Sequence, residues 1–440
     1  MSDLSSVNHQ INPENIKVSL SQKSTMDSST NNQQEFQENQ DTTNEQTNGN
    51  ENQEKSDDHT IPAVENTTEI YYPFDPRDHG LDENFSMINY GDIRDKLIHP
   101  GHHDIQAFLT TFINTQVDRP ITLLTEETTI MKLSNNDYYL LETSNFITPM
   151  LNEPYYIGKT AFVNVMSGIY ALGIAECTTH RMAISIPSTI DIPTRNIIIP
   201  LITQGYLDAA TDAHVSVQGI RIINSSSFLI GGNATSIILE QQILRRDIAC
   251  PGDIIILTKP IGTSVAIALS QYIEDPVKRN EIIKKIKLSD VLDAKYRALD
   301  VMVKSNLYPA VLMRKYATHA VCEISTHGLY GHADVLVKKQ LQPVDFVINN
   351  LPIISKMDMV AKLVGLSGQF LTGRLPEISG GLLVVMSKEH GIHYCQTITQ
   401  TYGGQAWIIG SVEPGNGSVL IKNLPKIINV PDMEQKSKKH

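Results

Sequence analysis

Residues Asn152 to Cys177 read NEPYYIGKTAFVNVMSGIYALGIAEC. Ile157, Ala161, Phe162, Val165, Ile169 and Leu172 recur there at helical spacing, so the stretch predicts a helix with a buried face. Just before it, TLLTEETTIMKL (Thr122–Leu133) and DYYLLETSNFI (Asp137–Ile147) gather β-branched and aromatic residues in short runs, the signature of strands. After it, TRNIIIPLITQGYLDAATDA (Thr194–Ala213) predicts a second helix, with Thr194 placed to cap it and Pro200 arguing for a kink or a late start. SVQGIRIINSSSFLIGGNATSIILE (Ser216–Glu240) then reads as a hairpin, two apolar runs split by NSSS.

RRDIACPGD is charged, contains Pro251-Gly252 and leads into a fresh strand, DIIILTK, which makes it a boundary. Helices follow in GTSVAIALSQYI and LSDVLDAKYRALDVMVKSN, then a turn at STHG, then the strands GLLVVMS and QAWIIGSVE. Strands interleaved with helices on both sides of Pro251 imply two domains of α/β or α+β type, and no short internal repeat is visible.

The chain has 440 residues, of which 41% are hydrophobic, enough to bury real cores. From Met1 to about Val64 it is instead dominated by Ser, Thr, Asn, Gln and Glu, a composition that cannot offset its ordering entropy and predicts a disordered tail. Order is expected to begin near IYYPFDPRDHGL. The start has neither the basic-then-apolar pattern of a signal peptide nor the Arg-rich, acid-poor pattern of a transit peptide, and no run approaches the ~20 apolar residues of a membrane span, so a cytosolic protein is expected. A net charge of −12, with KSKKH as the only basic cluster, argues against nucleic acid as a partner. Cys177, Cys250, Cys322 and Cys395 stand singly, as buried thiols do, with no CxxC pair for zinc or redox work.

EISTHGLYGHADVL, from Glu323, brings Glu323, His327 and His332 together around two glycines. Its histidines are five apart across a turn, which does not match the i, i+4 helical pairing of a zinc site. HPGHHD (His99–Asp104) reads as a solvated loop. Gly231-Gly232 and Gly380-Gly381 could admit a phosphate but read more simply as tight turns, and neither a Walker loop nor a nucleophile elbow occurs.

The opening string, together with PLITQGYLDAATDAHVSVQG, CPGDIIILTKPIGTSVAIALSQ, PEISGGLLVVM and GGQAWIIGSVE, resembles the selenophosphate synthetase (selenide, water dikinase) family, in the family's order from about Phe74 to Pro431. The resemblance implies a two-domain fold of the aminoimidazole ribonucleotide synthetase type. With the composition, which marks a disordered polar tail at residues 1–65 and a basic tail at 433–440, it implies an N-terminal domain at 66–245 whose strands pair with a second copy in a shared barrel and a C-terminal α/β domain at 246–432. It also implies conversion of ATP, selenide and water to selenophosphate, AMP and phosphate, with Mg²⁺ held by aspartates bridging the triphosphate, a reaction that rests on positioning and charge neutralisation.

Carried over residue by residue, the family's catalytic pattern is altered. Its Gly-Met-Asp motif falls on Thr125-Glu126-Glu127 and its Thr-Thr-Asp motif on Thr143-Ser144-Asn145. Its helical Ser-Asp falls on Ser167-Gly168, and its Gly-Gly-Gln-Thr loop on Gly219-Ile220-Arg221-Ile222. Its Asp-Ile-Thr-Gly-Phe-Gly turn falls on Glu323 to Gly328, and the mobile loop that carries Cys or selenocysteine before Lys falls near Ile98 and His99, with Lys96 close by. ATP positions are thus Thr125, Glu126, Glu127, Asn145, Gly168 and Gly219 to Ile222, and metal positions Glu127, Gly168 and Glu323. Asn164, Gly205, Gly252, Lys259, Gly262, Gly381 and Trp407 are retained. The expectation is a fold-intact, catalytically impaired relative that dimerises with itself or with an active paralogue. The alternative is a working dikinase in which Glu126, Glu127 and Glu323 hold the metal and Arg221 faces the phosphates.

Overall fold

The protein is described by a computed structural model over residues 74–90, 128–133, 137–402 and 404–430. The polar tail, the HPGHHD segment, Lys96, Ile98, His99, Thr125 to Glu127 and the basic C-terminus lie outside the described residues.

Two sheets carry the architecture. The first contains β1 (Thr128–Lys132), β2 (Tyr138–Ile147), β3 (Thr179–Pro187), β4 (Gly219–Ser225) and β5 (Leu229–Leu239), in the order β1-β2-β5-β3-β4. The helices α1 (Pro154–Tyr170) and α2 (Ile192–Asp212) belong to this half. The second sheet contains β6 (Ile254–Leu257), β7 (Ala320–Glu323), β8 (Val344–Ile354), β9 (Leu382–Met386), β10 (Trp407–Pro414) and β11 (Val419–Val430), in the order β11-β8-β10-β6-β9-β7. Its helices are α3 (Thr263–Glu274), α4 (Pro276–Ile282), α5 (Leu288–Val303), α6 (Leu307–Lys315), α7 (Gly328–Lys338), α8 (Met357–Leu363), α9 (Ser367–Leu371) and α10 (Lys388–Tyr402).

Helix α1 is buried on nearly every side, with only Tyr155 and Tyr156 partly exposed. A helix apolar all round belongs in a core, and this one touches β2 and β5, α2, and α5 and α6 of the other half. Its crossing with α2 is set by glycine. A Cβ on Gly158 would strike the Ile202 carbonyl, and one on Gly205 the Tyr155 carbonyl, so the two backbones meet without side chains between them. Polar contacts continue the union: Lys295 of α5 pairs with Glu153, the N-cap residue of α1, and Asn306 Nδ2 donates to Ser167 Oγ (2.8 Å) and to the Gly380 carbonyl (2.9 Å).

Three local expectations change. Helix α2 is capped by Asp191, whose Oδ1 accepts the Thr194 backbone N–H at 2.8 Å, so Thr194 is inside the helix and not its cap. Pro200 sits within that helix on an exposed position, where water can reach the carbonyl that its missing N–H leaves unbonded. The two runs of the expected hairpin are both strands, but β3 lies between them: β4 pairs parallel to β3, and β5 antiparallel to it, so the Ser225 to Leu229 link steps over the end of β3 at Pro187. Gly231-Gly232 is not a turn but the middle of β5, where a Cβ would strike the Asn145 and Arg181 carbonyls of the flanking strands.

Gly205→Ala is expected to cost about 1–3 kcal/mol of stability through overpacking at the helix crossing, read as a lowered urea midpoint with an unchanged slope.

Candidate functional site

Strand β7 ends at Glu323, in register with Leu382 of β9, the next residue, Ile324, donating its N–H to the Gly381 carbonyl at 2.9 Å, and the chain turns through Ser325 to Gly328 into α7. Gly328 has φ +65°, and a Cβ there would press on the Leu375 carbonyl, so this turn requires glycine. His332, one turn into α7, points back: its Nε2 lies 3.1 Å from Ser325 Oγ and accepts the His327 backbone N–H at 3.3 Å. That lone pair is engaged by the turn itself. The histidines of the EISTHG segment therefore hold a loop, and among the described residues no three His, Cys, Asp or Glu side chains gather as a metal site.

The turn forms one wall of a cavity of about 50 Å³ that Glu323, Ser325, His332 and Cys322 share with Gly168 of α1 and Thr128 of β1. The β1–β2 register sets Thr128 opposite Thr143, and both side chains are buried above Gly168. A Cβ on Gly168 would fall on Thr128 Oγ1 and lie 3.1 Å from Thr143 Oγ1. The hydroxyls occupy the space a side chain at 168 would need. Thr143 Oγ1 has no hydrogen-bond partner among the described residues.

Two of the residues matched to the family's metal positions, Gly168 and Glu323, are thus brought together; Glu127 lies outside the described residues. Asn145 is not in this cavity; its Oδ1 accepts the Phe146 N–H at 2.9 Å. Gly219, Ile220, Arg221 and Ile222 lie on β4, at the opposite edge of the sheet from β1, four strand spacings or about 19 Å away. Within one chain they do not join Gly168.

Glu323 is buried; Arg246 shares the cavity lining with it, and its charge also acts on Lys259, which follows β6. Burial pulls Lys259 down to about 7 while the Glu323 carboxylate acts against that fall; Lys259 Nζ donates to the Ser379 carbonyl at 2.8 Å. The glycine turn before α3 is also internally satisfied. Glu377 accepts the backbone N–H groups of Gly262 (2.8 Å) and Thr263 (3.0 Å) and the Thr263 hydroxyl, so the helix N-terminus already has its anion. Burial pushes Glu377 up to about 7 against those hydrogen bonds.

Mg²⁺ takes hard oxygen ligands in near-octahedral order, with one or two carboxylates when substrate phosphates and waters are its other ligands. In the described part of the cavity Glu323 is the single carboxylate and shares the lining with Arg246, and at Gly168 the Thr128 hydroxyl takes the space of a second. Those described donors, one carboxylate beside a guanidinium, do not by themselves make a site for the ion, and Glu126 and Glu127 lie outside the described residues. Thr128, Thr143 and Glu377 were not picked out as site residues from sequence; the alternation of β1 and β2 carried the signal for the two threonines, whereas nothing local marks Glu377.

The AIR synthase related protein, C-terminal domain, matches residues 250–423. Thiamine monophosphate kinase from Aquifex aeolicus superposes with a TM-score of 0.52 at 17% identity, covering 75% of this chain and all of that one. The fold is of the AIR synthase-related type. Within it, the chain is 36% identical over 316 residues to selenide, water dikinase 3 of Danio rerio, covering 69% of this chain and 71% of that protein. It is 32% identical over 370 residues to the probable selenide, water dikinase of Caenorhabditis elegans, covering 81% of this chain and 96% of that protein. The chain belongs to the selenide, water dikinase (selenophosphate synthetase) family. No helix among the described residues is long and apolar enough to cross a membrane.

Gly168→Asp is expected to lower the melting temperature by about 1–2 °C per kcal/mol of strain, the unfolding entropy being summed over roughly 300 ordered residues. Adding Thr128→Ala should return most of that loss, because the clash is with one hydroxyl; equal losses in the single and double variants would contradict this packing.

Proposed function

We propose that this chain is a selenophosphate synthetase-like protein whose own cavity is impaired for the family reaction and which acts as a dimerising, regulatory relative. One observation carries the reading: Gly168, at the position of a family carboxylate, is closed over by Thr128 and Thr143, leaving Glu323 as the one carboxylate of the described lining, with Arg246. A triphosphate entering such a cavity would meet too little metal-binding charge to neutralise it, and phosphoryl transfer depends on that neutralisation. ATP remains a candidate ligand, since a thiamine monophosphate kinase of this fold is complexed with AMPPCP and TMP. Mg²⁺ would depend on Glu126 and Glu127. The setting of this reading is cytosolic.

Dimerisation is supported by the first sheet. Met131, Phe146, Ile223 and Ile237 are 41–49% exposed on the face turned away from α1, and the edge strand β4 adds Ile220 and Ile222. Exposed apolar side chains over several strands mark a surface meant to be covered. The partner is a second copy of this chain or an active paralogue, consistent with one matched structure being a complex, HypE-HypF, at a TM-score of 0.53.

Phosphorus NMR of the full chain with ATP, Mg²⁺ and selenide, without oxygen, should show ATP unchanged; growth of AMP and selenophosphate signals would instead establish a working dikinase with rearranged ligands. Ile237→Lys, at the centre of the exposed face, should convert a dimer to a monomer in mass photometry without lowering the melting temperature of the monomer. A wild-type chain already monomeric at micromolar concentration and in the presence of an active dikinase would refute the dimer reading.

A further inference from the structure

Strands β6, β8 and β11 run in one direction, since β11 is parallel to β8 and β10 is antiparallel to both β8 and β6. Their carboxyl ends therefore meet at one end of the second sheet, beside the first residue of β10. A cavity of about 60 Å³ opens there, sharing no lining residue with the one at Gly168. Lys259 enters it from the end of β6, Ile354 and Val430 from the ends of β8 and β11, and Trp407 from the start of β10. The last two turns of α5 and the residue after it supply Arg297, Asp300 and Lys304.

The described lining thus carries three cations and one carboxylate. Lys259 is buried and spends one of its three N–H donors on the Ser379 carbonyl. Burial also holds Lys304 below its ordinary value, with Asp300 acting against the fall. Gathering cations around a void costs desolvation energy at each one, and an anion seated among them offsets that cost. One water needs ~10–15 Å³ of such space, so this cavity takes a group of a few heavy atoms. A tetrahedral oxyanion meets a guanidinium as a fork and an ammonium as a point charge.

We propose that Arg297, Lys304 and Lys259 form an oxyanion-binding pocket at the carboxyl ends of β6, β8 and β11, which takes inorganic phosphate or the phosphate group of a small phosphomonoester. The pocket shares no lining residue with the cavity at Gly168, although Lys259 also feels the Glu323 charge, and it needs no metal ion.

Isothermal titration of the full chain with inorganic phosphate, at fixed ionic strength, reads the site directly. Saturable binding is expected, weakened ~10-fold or more by Arg297→Gln or Lys304→Gln, with partial recovery in Lys304→Arg. Lys338→Gln, an exposed lysine on α7, controls for the loss of one charge and should bind as the wild type does. AMP displacing phosphate with the same sensitivity to Lys304→Gln would assign the pocket to phosphomonoesters; AMP without effect would assign it to the free ion, and either supports the site. Absence of saturable binding, or binding unchanged in folded Arg297→Gln and Lys304→Gln, would overturn it. So would a lowered melting temperature in Lys304→Gln with phosphate affinity intact, since that is the signature of a purely structural lysine.

Discussion

Everything in this fold leans on the burial of α1. The helix lies against the first sheet on one side and α2 on another, and reaches α5 and α6 of the second half, so nearly all of its side chains leave water. Close approach through Gly158 and Gly205 leaves no slack at the α2 crossing. Such an element cannot shift without moving both sheets, because a core at crystalline packing density transmits displacement rather than absorbing it. Gly168, on the last turn of the same helix, is consequently fixed relative to Thr128, Thr143 and Glu323.

The buried charges follow from that rigidity. Glu153, Glu323 and Glu377 are each nearly inaccessible, and each is answered by something specific: Lys295, Lys259, and the N-terminal N–H groups of α3 with the Thr263 hydroxyl. A carboxylate that closes a helix N-terminus from within turns a potential phosphate cradle into a structural joint between Gly262 and the segment leading to β9. The glycines of KPIGTS and PEISGG are in this way parts of one joint, and the space for ligands lies elsewhere, at Gly168 and at the Trp407 end of the second sheet.

Much of this was readable along the chain. The helices at Asn152 to Cys177, Gly262 to Ile273 and Leu288 to Asn306 announced themselves by periodicity, and β2, β6, β9 and β10 by short apolar runs between polar breaks. The family pattern in the same strings pointed to Gly168 and Glu323, which share a cavity. The errors have local causes. Thr194 looked like a cap because Asp191 precedes a Pro193 that starts the helix earlier, and the hairpin at Ser216 to Glu240 looked complete because nothing in either strand signals that β3 will come between them.

What the sequence determined by itself is the set of elements and their buried faces, since periodicity records which side of a helix or strand must leave water. What only the tertiary structure decided is adjacency: that Thr128 and Thr143 close over Gly168, that β4 stands a full sheet away from β1, that Glu377 rather than a ligand meets α3, and that Lys259, Arg297 and Lys304 share one cavity. Those pairs are far apart along the chain, and their contacts depend on strand order and helix crossing, which hydrophobic patterning constrains only through the single requirement that all the faces be covered at once.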